Sequence, residues 1–158
     1  MDLQVEELLT GMGIEYRLIR LSRRAFTVDD VIKYAQGDVK PTEICKTIIL
    51  QSKRGSNKVA VLLRGIDKLD FSKIKKVIGE EMTIANSEQV KDAAGVEPGA
   101  VCPLLLSIPL LVDEKVNLLT RINCGSGSHL YGLEFKKEDL VKGVQYEIVD
   151  VSKDVKIV

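Results

Sequence analysis

Two apolar runs, "CKTIIL" and "KVAVLLR", separated by "SKRGSN" at 52–57, constrain the fold of this chain more than anything else in it. Each run is rich in β-branched residues and apolar at odd and even positions alike, so a strand made from either has no face suited to water. The glycine and polar residues between them supply a loop. A hairpin is therefore expected, with strands from about Cys45 to Gln51 and from Lys58 to Arg64, placed centrally in a sheet and covered on both faces.

The remaining chain offers that cover in short pieces. "LQVEELLTGM" has helical spacing and stops at Gly13, and "IEYRLIRL" alternates as a strand. In "TVDDVIKYAQG", Thr27 and Asp30 stand as N-cap and acidic N3 residue, with Gly37 as the stop. Pro41 permits a helical turn through Glu43. Asp70 caps a helix ending at Gly79, "MTIA" is a brief strand, and Asn86 or Ser87 caps "SEQVKDAAG". "VEPGAVCP" is too rich in Gly and Pro for regular structure. "LLLSIPLLVD" must be largely buried, broken or edged at Pro109, and "KVNLLTRI" is expected to pair with it. "YGLEF", a short helix "KKEDLVKG" and a strand "YEIVDVS" follow. Irregular alternation of helix and strand favours a mixed sheet or partly closed barrel with helices outside over a doubly wound parallel sheet.

A length of 158 residues suits a single domain, 1–158, able to bury its own core. Charge is balanced, 23 Lys and Arg against 23 Asp and Glu, which speaks against a DNA-wrapping surface. Bases concentrate at "RLSRR", "KRGSNK" and "KIKK". The three cysteines are scattered and odd in number, so a reducing compartment is expected. The acidic start "MDLQVEELLTGMG" is unlike a signal peptide, and no apolar run approaches a membrane span, making the cytoplasm the default location.

Three features bear on chemistry. "INCGSGSHLYG", Ile122 to Gly132, holds three glycines and the chain's single histidine between apolar segments. Either a tight turn joins two strands there, or something approaches the backbone closely. Cys124 and His129 lack the further ligands a zinc site needs, and no nucleophile elbow, Walker loop or dinucleotide fingerprint is present. Lys46 is the only charge in its strand, on the face of Ile48 and Leu50 and opposite Cys45, Thr47 and Ile49. It either snorkels to water or faces a cleft and meets an anion. "AAGVEPGAVCP", Ala93 to Pro103, can present backbone groups from a shaped loop.

"CKTIIL", "GVEPGAVCPLLL…IPLLVDEKV" and "CGSGSHLYGLEFKKEDL", in that order and spacing, resemble the YbaK-like domains, relatives of the editing insertion of bacterial prolyl-tRNA synthetase, from about Thr27 to Val149. The resemblance implies a mixed α/β fold on a strongly curved, barrel-like sheet. It implies a trans-editing deacylase that hydrolyses the ester of a mischarged aminoacyl-tRNA with no metal, no cofactor and no covalent intermediate. Lys46 resembles the family's essential lysine beside the terminal adenosine and its phosphate, and Gly99 the loop glycine that borders the ester. His129 and Gly132 resemble a "G-x-H-x-x-G" pocket element, with Gly125 and Gly127 in the same pocket. "CGSG" departs from the family's longer "G-A-N" stretch, which bears on the amino acid selected; the histidine leans the choice to alanine over cysteine.

The implied partners are the acceptor end of tRNA and a synthetase, with no DNA and no membrane. Arg23, Arg24, Lys53 and Arg54 are candidate tRNA contacts at the entrance. His129 is expected to line the pocket rather than act as general base, with a distant carboxylate such as Asp113 left open as an orienting group. The alternatives are a non-catalytic tRNA-end or synthetase-binding module of the same fold, and hydrolysis of another small acyl ester.

Overall fold

The computed structural model describes residues 3–154. In chain order these form α1 (Gln4–Gly11), β1 (Tyr16–Arg20), α2 (Val28–Tyr34), β2 (Cys45–Ser52), β3 (Lys58–Arg64), α3 (Phe71–Ile78) and β4 (Met82–Ile84). They continue with α4 (Ser87–Ala94), β5 (Leu110–Asp113), β6 (Arg121–Gly125), β7 (Tyr131–Lys136), α5 (Leu140–Gly143) and β8 (Glu147–Val149). Short 3-10 turns occupy Pro41–Glu43, Val116–Leu118 and Lys137–Asp139.

Local chemistry sets most of these boundaries. The Thr27 hydroxyl accepts from the Asp30 amide at 3.1 Å, the Asp70 carboxylate from the Ser72 and Lys73 amides at 3.0 and 3.2 Å, and the Asn86 side chain from Gln89 at 2.8 Å. Each satisfies donors that a helix start leaves orphaned. α2 ends before Gly37 because Ala35 turns extended and bridges Leu21, with the Gln36 amide donating to the Arg20 carbonyl. A tertiary pairing thus overrides the glycine stop.

The expected hairpin lies inside a five-stranded sheet of order β4-β2-β3-β5-β8, β2 and β3 pairing antiparallel from Cys45 opposite Arg64 to Gln51 opposite Lys58. β5 runs parallel to β3, and β8 parallel to β5. A second, antiparallel sheet has the order β1-β7-β6. Alternation along the central strands divides the core. Cys45, Ile49, Ala60 and Leu62 join Ile122, Leu133 and Phe135 of the second sheet, with Val5, Leu9 and Val90 of α1 and α4. Leu50, Val61, Leu63 and Leu111 pack on the other face against Ile74 of α3. Both faces of the hairpin are covered, which is why both are apolar.

Two expectations need correction. No closed or strongly curled barrel forms: the mixed α/β fold is built from two open sheets, joined directly by the parallel bridge of Ile44 with Asn123 and otherwise separated by the side chains of the first core cluster. Closure would require strand pairing all the way round. "KVNLLTRI" also does not pair with "LLLSIPLLVD". It breaks into a 3-10 turn and β6, which pairs with β7, while β5 inserts between β3 and β8. β5, apolar from Leu110 to Val112 and buried throughout, finds cover on both sides there, and an adjacent hairpin partner would have left it at an edge. Among the described residues no helix is long and apolar enough to cross a membrane.

Candidate active site

Where the two sheets meet, an open cavity of about 600 Å³ lies between the first half of β2, the 25–32 segment, the 98–101 loop and the facing ends of β6 and β7. Its volume is within the roughly 300–1,000 Å³ usual for small-ligand sites. The cavity exists because β4 covers β2 only from Leu50 to Ser52, leaving the edge at Thr47 to face it. The Ala85 amide donates to the Ile49 carbonyl, so alternation turns the main-chain groups of Thr47 to this same side.

Lys46 enters this space from the start of β2, where helical cover of its face ends. Its Nζ donates to the Gly65 carbonyl at 3.3 Å. Asp67, the nearby carboxylate, is held by Arg64 through two bonds of 2.7 and 3.1 Å and approached by Lys115 at 4.0 Å. Among the described residues Lys46 has no ion-pair partner. Burial holds its pKa below the ordinary lysine value, opposed in part by Asp67 and reinforced by Lys68. A half-buried ammonium with only one carbonyl to satisfy it is arranged to gain from an anion.

The glycine stretch resolves into a turn fastened to the loop opposite. The buried Ser126 hydroxyl donates to the Tyr131 carbonyl at 2.6 Å, and the Gly127 amide donates to the Ala100 carbonyl at 2.8 Å. The His129 carbonyl accepts from the Ala25 amide at 2.9 Å. Gly99 has φ of +94°, and a Cβ there would lie 2.5 Å from the Phe26 carbonyl oxygen. A Cβ on Gly125 would overlap the Val101 carbonyl. Turn and close approach are therefore both present, and part of the space the glycines leave is filled by the protein's own backbone. What Gly99, Gly125 and Gly132 give to the cavity wall is necessarily main chain.

His129 is 9% exposed and lines the cavity. Its Nε2 lies 3.1 Å from the Pro98 carbonyl, and its ring lies 4.5 Å from that of Phe26. A carbonyl only accepts, so Nε2 carries the proton in this arrangement and is no base while the bond lasts. Asp113 does not orient the ring. Its carboxylate accepts instead from the Val151 and Ser152 amides and the Ser152 hydroxyl.

Gly127 stands behind the wall against Leu105. Arg24 lies at the rim, its guanidinium 5.1 Å from the Phe26 ring centre and 3.6 Å from Glu97, with Arg23 exposed beside it in sequence. Lys53 and Arg54 are not brought to the cavity. They follow the far end of β2, roughly 23 Å of extended chain from Lys46, where Lys53 pairs with Glu81 at 3.7 Å.

Two lining residues escaped the sequence reading. Asn123 is 3% exposed, and among the described residues its side-chain amide has no hydrogen-bond partner. Phe26, 46% exposed, presents a ring at the mouth. An asparagine in a strand carries no motif, and Phe26 merely precedes a helix cap; only the juxtaposition of the sheets marks them. Cys45 and Cys124 also line the cavity, but burial pushes the thiols of Cys45 and Cys102 up to about 12 and that of Cys124 well above its ordinary value. All three are protonated at neutral pH and offer no thiolate nucleophile. Among the described residues no group of three or more His, Cys, Asp or Glu is placed to hold a metal ion.

The crystal structure of hypothetical protein APE2540 is similar to this chain with a TM-score of 0.81 and 27% identity, over 94% of this chain and 99% of that one. A candidate trans-editing enzyme for prolyl-tRNA synthetase shares the fold, with a TM-score of 0.80, 18% identity and 95% of each chain covered. Residues 23–142 match the model of the aminoacyl-tRNA editing domain, a span that runs from the rim arginines through β2, the Gly99 loop and the His129 turn into α5. This chain therefore belongs to the aminoacyl-tRNA editing domain family.

Proposed function

We propose that this chain is a trans-editing deacylase, acting as one domain in the cytoplasm, that hydrolyses the ester joining a small amino acid to the terminal adenosine of a mischarged tRNA. The observation that carries this reading is convergence on one open cavity: Lys46 from β2, Asn123 from β6, and glycine backbone from the Gly99 loop and the β6–β7 turn. Lys46 takes the terminal phosphate. The Asn123 amide holds a ribose hydroxyl or the amino group, and the backbone at Gly99 and Gly125 seats the attacking water. An aminoacyl ester is already activated, so positioning and fixed charge suffice without a dyad.

His129 walls the aminoacyl group and fixes the Pro98 carbonyl, so its role is selection; alanyl or cysteinyl esters of proline-type tRNA are the substrates of choice. Gly132 keeps the pocket floor low and Gly127 supports the turn. Arg23 and Arg24 flank the entrance. Lys53 and Arg54 reach a tRNA only where its stem runs along the β2–β4 edge. A synthetase supplies the mischarged product and is the expected functional partner.

A non-catalytic module of this fold would keep the charged surface with its cavity filled, whereas this cavity is open. The test is a deacylation screen with alanyl-, cysteinyl-, seryl- and prolyl-tRNA of the proline type. The expected result is rapid release from one mischarged species and sparing of prolyl-tRNA. Release no faster than in buffer for every species, from protein with an intact thermal transition, would remove the enzymatic reading.

A further inference from the structure

A second depression, of about 650 Å³, opens on the other side of Lys46. It shares Lys46, Ile48 and Ile84 with the cavity, and Lys68, Asp70, Phe71 and Lys153 contribute its outer wall. The two spaces thus meet at the lysine already assigned to the terminal phosphate.

The groove brings together three lysines that have no carboxylate partner among the described residues. In a chain of zero net charge, Lys53, Lys73, Lys75, Lys115 and Lys142 all have carboxylate partners. Among the described residues Lys46, Lys68 and Lys153 have none, although they lie on one concave surface. The carboxylate of the wall, Asp70, is committed to the Ser72 and Lys73 amides. The Lys153 amide donates to the Lys68 carbonyl at 2.8 Å, which fixes the two lysines side by side. Phe71, 43% exposed, lines the same depression, a large apolar ring left uncovered on a surface that also carries these cations. Cations along a groove with an aromatic platform suit a single-stranded polyanion bearing flat bases.

We infer that this groove binds the nucleotide preceding the terminal adenosine, its phosphodiester between Lys46, Lys68 and Lys153 and its base against Phe71. The assignment rests on reading the cavity as the seat of that adenosine. It deepens the reading by giving the acceptor end a path: down the groove, past Lys46 and into the cavity.

The experiment compares binding of adenosine, the dinucleotide CpA and the tetranucleotide ACCA to the parent and to a Lys68→Ala, Lys153→Ala double variant, at several salt concentrations. The parent is expected to bind CpA at least about tenfold more tightly than adenosine, as a stacked base with a paired phosphate implies. The double variant should lose most of that gain, and its ACCA salt slope should fall by about 1.4. Phe71→Ala should reduce the gain without changing the slope, and Lys75→Ala should leave both intact. Single Lys68→Gln and Lys153→Gln variants give the same reading if the double variant unfolds. Equal affinity of the parent for CpA and adenosine, or a gain that survives in the lysine variants, overturns the groove. ACCA binding that depends on Lys68 and Lys153 without measurable adenosine binding would retain the groove and remove the adenosine reading of the cavity.

Discussion

Replacing Lys46 by alanine should separate function from folding. Among the described residues Nζ has one partner, the Gly65 carbonyl at 3.3 Å, at the long end of hydrogen-bond range, and no carboxylate. Losing such a bond costs about 0.5–1.5 kcal/mol at most. Against this stands the burial that lowers its pKa. Between the lowered folded value and the ordinary unfolded one, the unfolded chain binds more protons, so stability rises with pH there; below the folded value the penalty is present in full. At neutral pH removal of the ammonium relieves that penalty. The two contributions oppose, and a net change within about 1 kcal/mol, or a Tm shift of roughly 2–4 °C, is expected for a chain of this size. Turnover should fall far more, by about 10²–10³, the scale for removing one fixed stabiliser of charge from a poorly hydrated site. Single-turnover deacylation and thermal unfolding on one preparation decide the matter. Normal turnover in Lys46→Ala refutes the anion-binding assignment, and a Tm lower by 8 °C or more makes the lysine structural.

Gly99→Ala should cost about 2–4 kcal/mol, because it combines a positive φ with collision against the Phe26 backbone, so its lost activity will track a lowered Tm in thermal unfolding. His129→Ala frees the Pro98 carbonyl and opens the aminoacyl wall, so the relative rates on alanyl, cysteinyl and seryl esters should change; a uniform fall across all three would reject a selective role. Native Cys45, Cys102 and Cys124 should resist iodoacetamide at pH 8 and react fully in denaturant. Their raised pKa values mean the folded state holds more protons above about pH 9, so stability should decline from there toward pH 12, and a Cys102→Ala variant should decline less steeply.

Much of this molecule was legible because its determinants are local. The covered hairpin is written in two strands apolar on both faces, and the caps at Thr27, Asp70 and Asn86 need only residues three positions away. Lys46 stood out as a charge in an apolar strand, and the glycine stretch as backbone with an unusual demand for space. What the sequence could not specify was pairing between distant segments. Whether β5 met "KVNLLTRI" or slid between β3 and β8, and whether eight strands closed or split into two sheets, depends on which apolar faces find cover once the chain has collapsed. The same holds at the site. Asn123 and Phe26 became cavity residues, Gly99 came to rest on the Phe26 backbone, and Lys53 was carried away from Lys46 by the length of the strand that separates them. Local periodicity fixes the direction in which a side chain leaves its strand. Only tertiary packing decides whether that direction ends in solvent, in core or in a cavity with another segment across it.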